Sequence, residues 1–510
     1  MGLFQKFLTV SGLTIASRVF GVVREAVMVH FLGASVEMDA FTTAFKFPSF
    51  FRRFFAEGGF QSIFVPYYTD YVLHSKYNGA KYFSSRIFTL IFWVMLVLCV
   101  VVFVFAQEFT LLMAPGFINY PEKLSLTSEF TRIIFPSIAF ISLSTVYSGI
   151  LVSRQKFFIF SLAPIFVNII LVGSLFVCQD SISAGRRISY GTLISGIFLL
   201  VYMFACVKLL KLPSPRLASV KRSPRIKTFL RKLIPVLAGA GVVQINILVG
   251  TVFASFLSTG AITYLYCADR FVQLPLALFG ISMGTILLPE IADKIAKQNL
   301  DEIQDIQNKS FLFILQMTIP AVVLLIVLAE WMVSLLYGHG KFDYESVIST
   351  ASVVKISALG LPAFVFSKVL SSILFAQKDT TTTVLATTVS IISNIIFSIM
   401  LIKPLGVLGI AISSSLSGYV ALLVLYKKSH ICFLNNKRLL SISFKILLAS
   451  GCAFVACSVL KNIIGDPHTK IQELFCIIII FISGIFVHLA SLFVMKDKAT
   501  IAVVKKILRL

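Results

Sequence analysis

The sequence predicts an all-α polytopic membrane protein, and three observations carry that expectation. Of its 510 residues, 58% are hydrophobic and only 13% are charged, where a soluble domain has about 25% charged residues. The apolar residues gather into about 14 stretches of roughly the 20 residues that a helix needs to span a bilayer. Lys and Arg crowd alternate gaps between those stretches. So little polar surface could not cover a soluble globule of this length, which excludes a soluble enzyme.

The candidate spans lie near 8–33, 39–58, 87–113, 130–152, 157–178, 188–210, 230–257, 262–290, 311–337, 350–376, 383–402, 405–426, 443–463 and 472–495. The first, second, seventh and eighth are interrupted by polar residues. With the N-terminus inside, the even-numbered gaps and both tails are cytoplasmic and hold most of the basic residues. The opposite loops hold only Lys123, Arg186, Arg187, Lys341, Lys403, Lys461 and Lys470. That asymmetry is the positive-inside pattern, with both termini cytoplasmic. The net charge of +23 is thus a topology signal, and no nucleic acid is implied. The basic segment 208–232 reads as a solvated linker touching anionic lipid headgroups. The eight cysteines are scattered through apolar stretches with no C-x-x-C, so neither a metal site nor a disulfide frame is signalled. The first apolar stretch carries Arg18 and Arg24 and lacks the form of a signal peptide.

The chain resembles itself at an offset of about 225 residues. Gln61–Asp70 aligns with Gly284–Asp293, Phe135-Pro136 with Leu361-Pro362, Arg154-Gln155-Lys156 with Ala376-Gln377-Lys378, and Asn168-Ile-Ile with Asn394-Ile-Ile. Six spans separate the copies, so both share one orientation, related by an axis along the membrane normal. The expected organisation is an N-terminal six-helix lobe over 1–212, a basic linker over 213–229, a C-terminal six-helix lobe over 230–430 and a two-helix hairpin over 440–500.

Charges sit where lipid does not tolerate them. The first span carries Arg18, Arg24 and Glu25; the second carries Asp39, Lys46, Arg52, Arg53 and Glu57; the eighth carries Asp269 and Arg270. An Arg at the bilayer centre costs about 2.5–3.5 kcal/mol on insertion scales, so these positions face a wet cavity or one another. Arg18 and Arg24 point about 120° apart on an ideal helix, and a bend at Gly21 would let both face one cavity. Arg52 and Arg53 are neighbours, so one of them faces inward. Arg53 and Glu57 stand one turn apart and suit a pair. For Arg53, Glu57, Asp269 and Lys46, pairing within a lobe explains the charge as well as a ligand does. For Arg18, Arg24, Arg52 and Arg270 the acids are too few, and an anion is the better account. A guanidinium holds phosphate oxygens in a planar fork. A lipid-linked diphosphate suits such a cavity, with its tail left in the bilayer. No acid–base pair, metal cluster or Ser-His-Asp arrangement accompanies these residues, so no catalytic residue, metal or cofactor is expected.

Ser17–Glu25, Asp39–Pro48, Phe51–Phe60 and Phe64-Val-Pro66 resemble the N-terminal signature of the MurJ (MviN) lipid II flippases. Phe253–Leu257, Ala268-Asp-Arg270 and Gly284–Pro289 resemble that family's seventh and eighth spans, and Ala114-Pro-Gly-Phe117 a loop after its third. The resemblance implies the fold of the MOP exporter superfamily. It also implies flipping of undecaprenyl-diphosphate-linked MurNAc-pentapeptide-GlcNAc (lipid II) across the bacterial inner membrane for peptidoglycan synthesis, beside membrane lipids and cell-wall synthesis or division proteins. By motif position it makes Arg18, Arg24, Arg52 and Arg270 the substrate-binding cations, with Asp39 and Glu57 as supporting acids; Glu25, Arg53 and Asp269 are the further supporting charges beside them. Glu25 stands where the family usually has Asp, and Ser49 where it usually has Asn. The run Asp379–Thr383 does not match the sodium ligands of some relatives. No nucleotide-binding motif is present, so an ion gradient or the membrane potential is the expected energy source. The alternatives are a MOP exporter of another polyprenyl-linked glycan or of drugs, a polyprenyl-lipid glycosyltransferase or phosphatase, and a scaffold with a dead pore. The net basic character of the charged spans opposes export of cationic drugs. The longest loop, 208–230, has no Asp, Glu or His, which opposes the enzyme.

Overall fold

The structure is a computed structural model that describes residues 3–55, 59–177, 182–219, 226–233, 248–297, 300–429 and 437–495. Among them every regular element is helical. In chain order they are α1 (Leu3–Leu32), α2 (Val36–Phe55), α3 (Gly59–Val104), α4 (Ala106–Met113), a 3₁₀ turn at Pro115–Asn119, α5 (Pro121–Ile134), α6 (Pro136–Ser153), α7 (Phe157–Phe176) and α8 (Ala184–Leu209). Short helical pieces follow at 226–233 and 248–254. Then come α9 (Ala261–Pro275), a π-helical stretch Leu276–Ile281, α10 (Ser282–Ala296), α11 (Leu300–Tyr337), α12 (Tyr344–Ala376), α13 (Thr380–Lys428), α14 (Lys437–Ile464) and α15 (Lys470–Val494). Ten helical stretches among the described residues are long and apolar enough to cross a membrane. One of these, Thr380–Lys428, bends at Gly406, whose combination of φ 55° and ψ −130° only glycine adopts readily, and so covers both the eleventh and twelfth predicted spans. Most of the seventh predicted span, at 234–247, lies outside the described residues.

Two differences from the sequence-based reading bear on the fold. The polar run 59–86, expected as a loop, is helical and continuous with the third span. Helix closure needs only backbone hydrogen bonds, so Lys76, Asn78 and Lys81 do not end it. Within it Arg86 is only 4% exposed and lies over the Tyr82 ring at 3.9 Å. The start of the expected linker, 212–219, docks on α3 while Arg216, Leu217 and Ser219 stay exposed. Its extended backbone lies along α3, with the Arg216 N–H donating to the Ser85 hydroxyl and the Ala218 N–H to the Thr89 hydroxyl, both at 3.0 Å. Residues two apart in an extended chain are spaced about 6.6 Å, close to the roughly 6 Å rise between i and i+4 of a helix. Pro213 and Pro215 have no N–H to leave unpaired there.

The chain divides into two compact units, 1–263 with 340–342, and 264–339 with 343–510. The core of the first is aromatic. Phe60, Phe64, Tyr68 and Phe83 are fully buried, with Phe60–Phe64 and Phe64–Phe83 ring centroids 5.1 and 5.6 Å apart. In the second unit Leu324, Leu328 and Trp331 of α11 pack on Cys457 and Ile480 of the terminal hairpin. The repeat is visible inside each unit. The turn after α6 places Gln155 at φ 57° and donates from the Lys156 N–H to the Leu151 carbonyl at 2.9 Å. The turn after α12 places Lys378 at φ 62° and donates from the Asp379 N–H to the Leu374 carbonyl, also at 2.9 Å. These are matching helix C-caps, with Lys378 one residue beyond the Gln155–Gln377 match.

Candidate functional site

Arg24 lies on α1, which runs uninterrupted through Gly21. Its Nη2 donates to Glu25 Oε1 at 2.9 Å and its Nη1 to Asn168 Oδ1 at 3.1 Å. The Asn168 amide in turn donates from Nδ2 to the Ser17 carbonyl at 3.3 Å. Glu25 and Asn168 are buried, while the Arg24 side chain keeps 17% of its surface open. A guanidinium carries five N–H donors. Two are used among the described residues, so the rest are left for an acceptor on the open side. Arg18, six residues earlier, is exposed and makes no hydrogen bond or ion pair among the described residues.

Asp39 belongs to a different cluster. It is 1% exposed and fully engaged. Its Oδ2 accepts from Lys123 Nζ at 3.0 Å and from the Gly260 N–H at 2.9 Å. Its Oδ1 accepts from the Thr263 N–H at 3.0 Å and the Thr263 hydroxyl at 2.7 Å. Gly260 immediately precedes α9 and Thr263 is its third residue, so the carboxylate meets two of the backbone donors that a helix start leaves unpaired. Lys123 is itself only 3% exposed and packs near the Phe117 ring. Beside this cluster Glu37 accepts from the Gly185 N–H at 3.0 Å, at the start of α8.

In the second unit, Arg270 lies over the Tyr266 ring at 4.7 Å, with Nη1 3.5 Å from Gln273 Oε1. Gln273 donates through Nε2 to Asp269 Oδ2. The three polar side chains thus brace one another on one helix. Lys46, on α2, donates to the Thr251 hydroxyl. Arg52 and Arg53 lie on α2, but their side chains fall outside the described residues, as does Glu57. Of the charged residues singled out from sequence, the structure joins Arg24 to Glu25, and Asp269 to Arg270 through Gln273. It commits Asp39 elsewhere. Asn168, Lys123, Thr263 and Gln273 were not foreseen as partners. Asn168 had one signal, its place in the internal repeat, and Gln273 another, a polar side chain one turn from Asp269 on an apolar helix.

These helices, with basic residues at places lipid would reject, define a polytopic membrane transport protein. A solved multidrug transporter of the MATE family and MOP superfamily, in an inward-facing conformation, shares the fold. Its TM-score is 0.68 at 13% identity, over 85% of this chain and 98% of that one. The narrower identity comes from the family profile described as "Lipid II flippase MurJ", which matches residues 28–481. The chain belongs to that family. A probable lipid II flippase MurJ of Rhizobium meliloti is 37% identical over 84% of this chain and 80% of its own length. One from Rickettsia prowazekii is 33% identical over 91% and 90%. A solved lipid II flippase MurJ in an inward closed conformation superposes with a TM-score of 0.79 at 27% identity, covering 95% of this chain and 98% of that one.

Proposed function

We propose that this protein carries lipid II from the cytoplasmic to the outer leaflet of the bacterial inner membrane by alternating access, with guanidinium groups gripping the diphosphate. The observation that carries the reading is the Arg24 group. A guanidinium in a membrane helix is braced by one carboxylate and one neutral amide, with N–H donors to spare. The exposed Arg18 on the same helix adds a second positive charge, and Arg52 and Arg270 complete the set by motif position. Glu25 and Asp269 orient these cations, Arg53 and Glu57 support them, and Asp39 holds the helices in place. Transport needs no bond made or broken, and the protein acts as a carrier rather than an enzyme. The lobes that rock are 1–212 and 230–430, with both termini cytoplasmic. A membrane potential, worth about 2.3 kcal/mol per charge per 100 mV, favours outward movement of the anionic substrate. Enzymes of cell-wall synthesis consume the delivered lipid.

The test is leaflet-resolved lipid II in a strain depleted of its own flippase. Expression of this chain should return lipid II to the outer leaflet and restore growth. Accumulation in the inner leaflet, despite normal insertion of the chain, would overturn the reading.

A further inference from the structure

Asn168 carries more than a packing role. It lies on α7, is 7% exposed, and uses both ends of its amide. Oδ1 accepts from Arg24 Nη1 at 3.1 Å while Nδ2 donates to the Ser17 carbonyl at 3.3 Å. That pair of bonds fixes the amide's orientation, because the flipped form would set an NH₂ against the guanidinium. α1 and α7 meet without crowding here, since even a Cβ added at Gly21 would stand 4.0 Å from Nδ2. An arginine side chain carries about 2 kcal/mol of rotamer entropy, and a binding group must be held to within about 10–20°. Glu25 supplies one anchor and one negative charge. A second carboxylate would hold the guanidinium as firmly but would cancel the charge that binds the ligand. A neutral amide holds it without that loss.

We infer that Asn168 is the positioning residue for Arg24, aiming its guanidinium at a lipid-linked diphosphate while leaving its charge available. This rests on the reading of Arg24 given under Proposed function. The experiment measures binding of undecaprenyl diphosphate to the full chain in lipid nanodiscs. Asn168→Asp, nearly isosteric, should weaken binding by at least about tenfold, because the added carboxylate cancels the guanidinium's charge and repels the diphosphate. Adding Glu25→Gln, which restores a single carboxylate beside Arg24, should recover most of the loss. A packing role alone predicts no recovery with Glu25→Gln. Should Asn168→Asp fail to accumulate in the membrane, Asn168→Ala carries the test, with a similar loss expected. Wild-type affinity in whichever of these variants is measured, or no recovery with Glu25→Gln, would overturn the inference. Arg24→Ala separates the two levels. If it binds undecaprenyl diphosphate as wild type does, the head-group role of Arg24 fails and this inference with it. If it loses binding while Asn168→Asp does not, only the role of Asn168 fails.

Discussion

Asp39→Asn should be among the most destabilising single-atom changes in this protein. The carboxylate meets four donors: the Lys123 ammonium, two backbone N–H groups and the Thr263 hydroxyl. Asn keeps one carbonyl oxygen, which can stay on Thr263. Its NH₂ then replaces Oδ2 and faces Lys123 Nζ and the Gly260 N–H, so donor confronts donor. Lys123 is 3% exposed and cannot turn to water without opening the packing around Phe117. Removing one partner of a buried ion pair costs about 3–5 kcal/mol. Much of that is the stranded charge, so Asp39→Asn with Lys123→Met should return about 1–3 kcal/mol of it. Denaturant unfolding in detergent would give the stabilities, and amide hydrogen exchange at Gly260 and Thr263 would localise the change. If Asp39→Asn unfolds at the wild-type midpoint, with those amides equally protected, the clamp does not hold the fold as described.

The remaining predictions concern packing, a helix cap and the second span. A Cβ at Gly149 would lie 2.5 Å from the fully buried Phe64 ring, so Gly149→Ala should lose about 1–3 kcal/mol and Phe64→Leu should return part of it, read by thermal unfolding. Asp343 caps α12 by accepting from the Ser346 N–H at 2.9 Å, and its bonds to Ser346 hold its pKa below the usual carboxylate value. The cap's contribution is therefore complete above the ordinary carboxylate range, near pH 4, and is lost as pH falls through the lowered folded value. Asp343→Ala should remove about 1 kcal/mol at pH 7, with faster exchange of the Ser346 amide at pH 7 and little further change on acidification. In rescue of a flippase-depleted strain, Arg53→Ala should grow better than Arg52→Ala; equal loss would show that the inward face of α2 is assigned wrongly.

The fold class and the position of Arg24 were legible in the sequence because each is a local pattern. A 20-residue apolar run or a guanidinium in such a run needs no partner to be noticed. The continuity of α3 was not legible, because the polar stretch around Asn78-Gly79 looks like a loop to any hydropathy window. Nor were the partners of Asp39: Lys123, Gly260 and Thr263 are brought to it by tertiary packing and carry no motif. Asn168 stood between these cases. The sequence marked it through the match with Asn394, which is also buried, at 3% exposure, but only the folded contact shows that its amide faces Arg24.

Lipid II can be counted separately in the two leaflets of cells that depend on this chain, once with Arg24 intact and once with Arg24→Ala at equal membrane levels. A guanidinium that grips the diphosphate predicts that the intact chain clears the inner leaflet and that the variant leaves lipid II stranded there. Equal clearance by both would show that the substrate crosses without it.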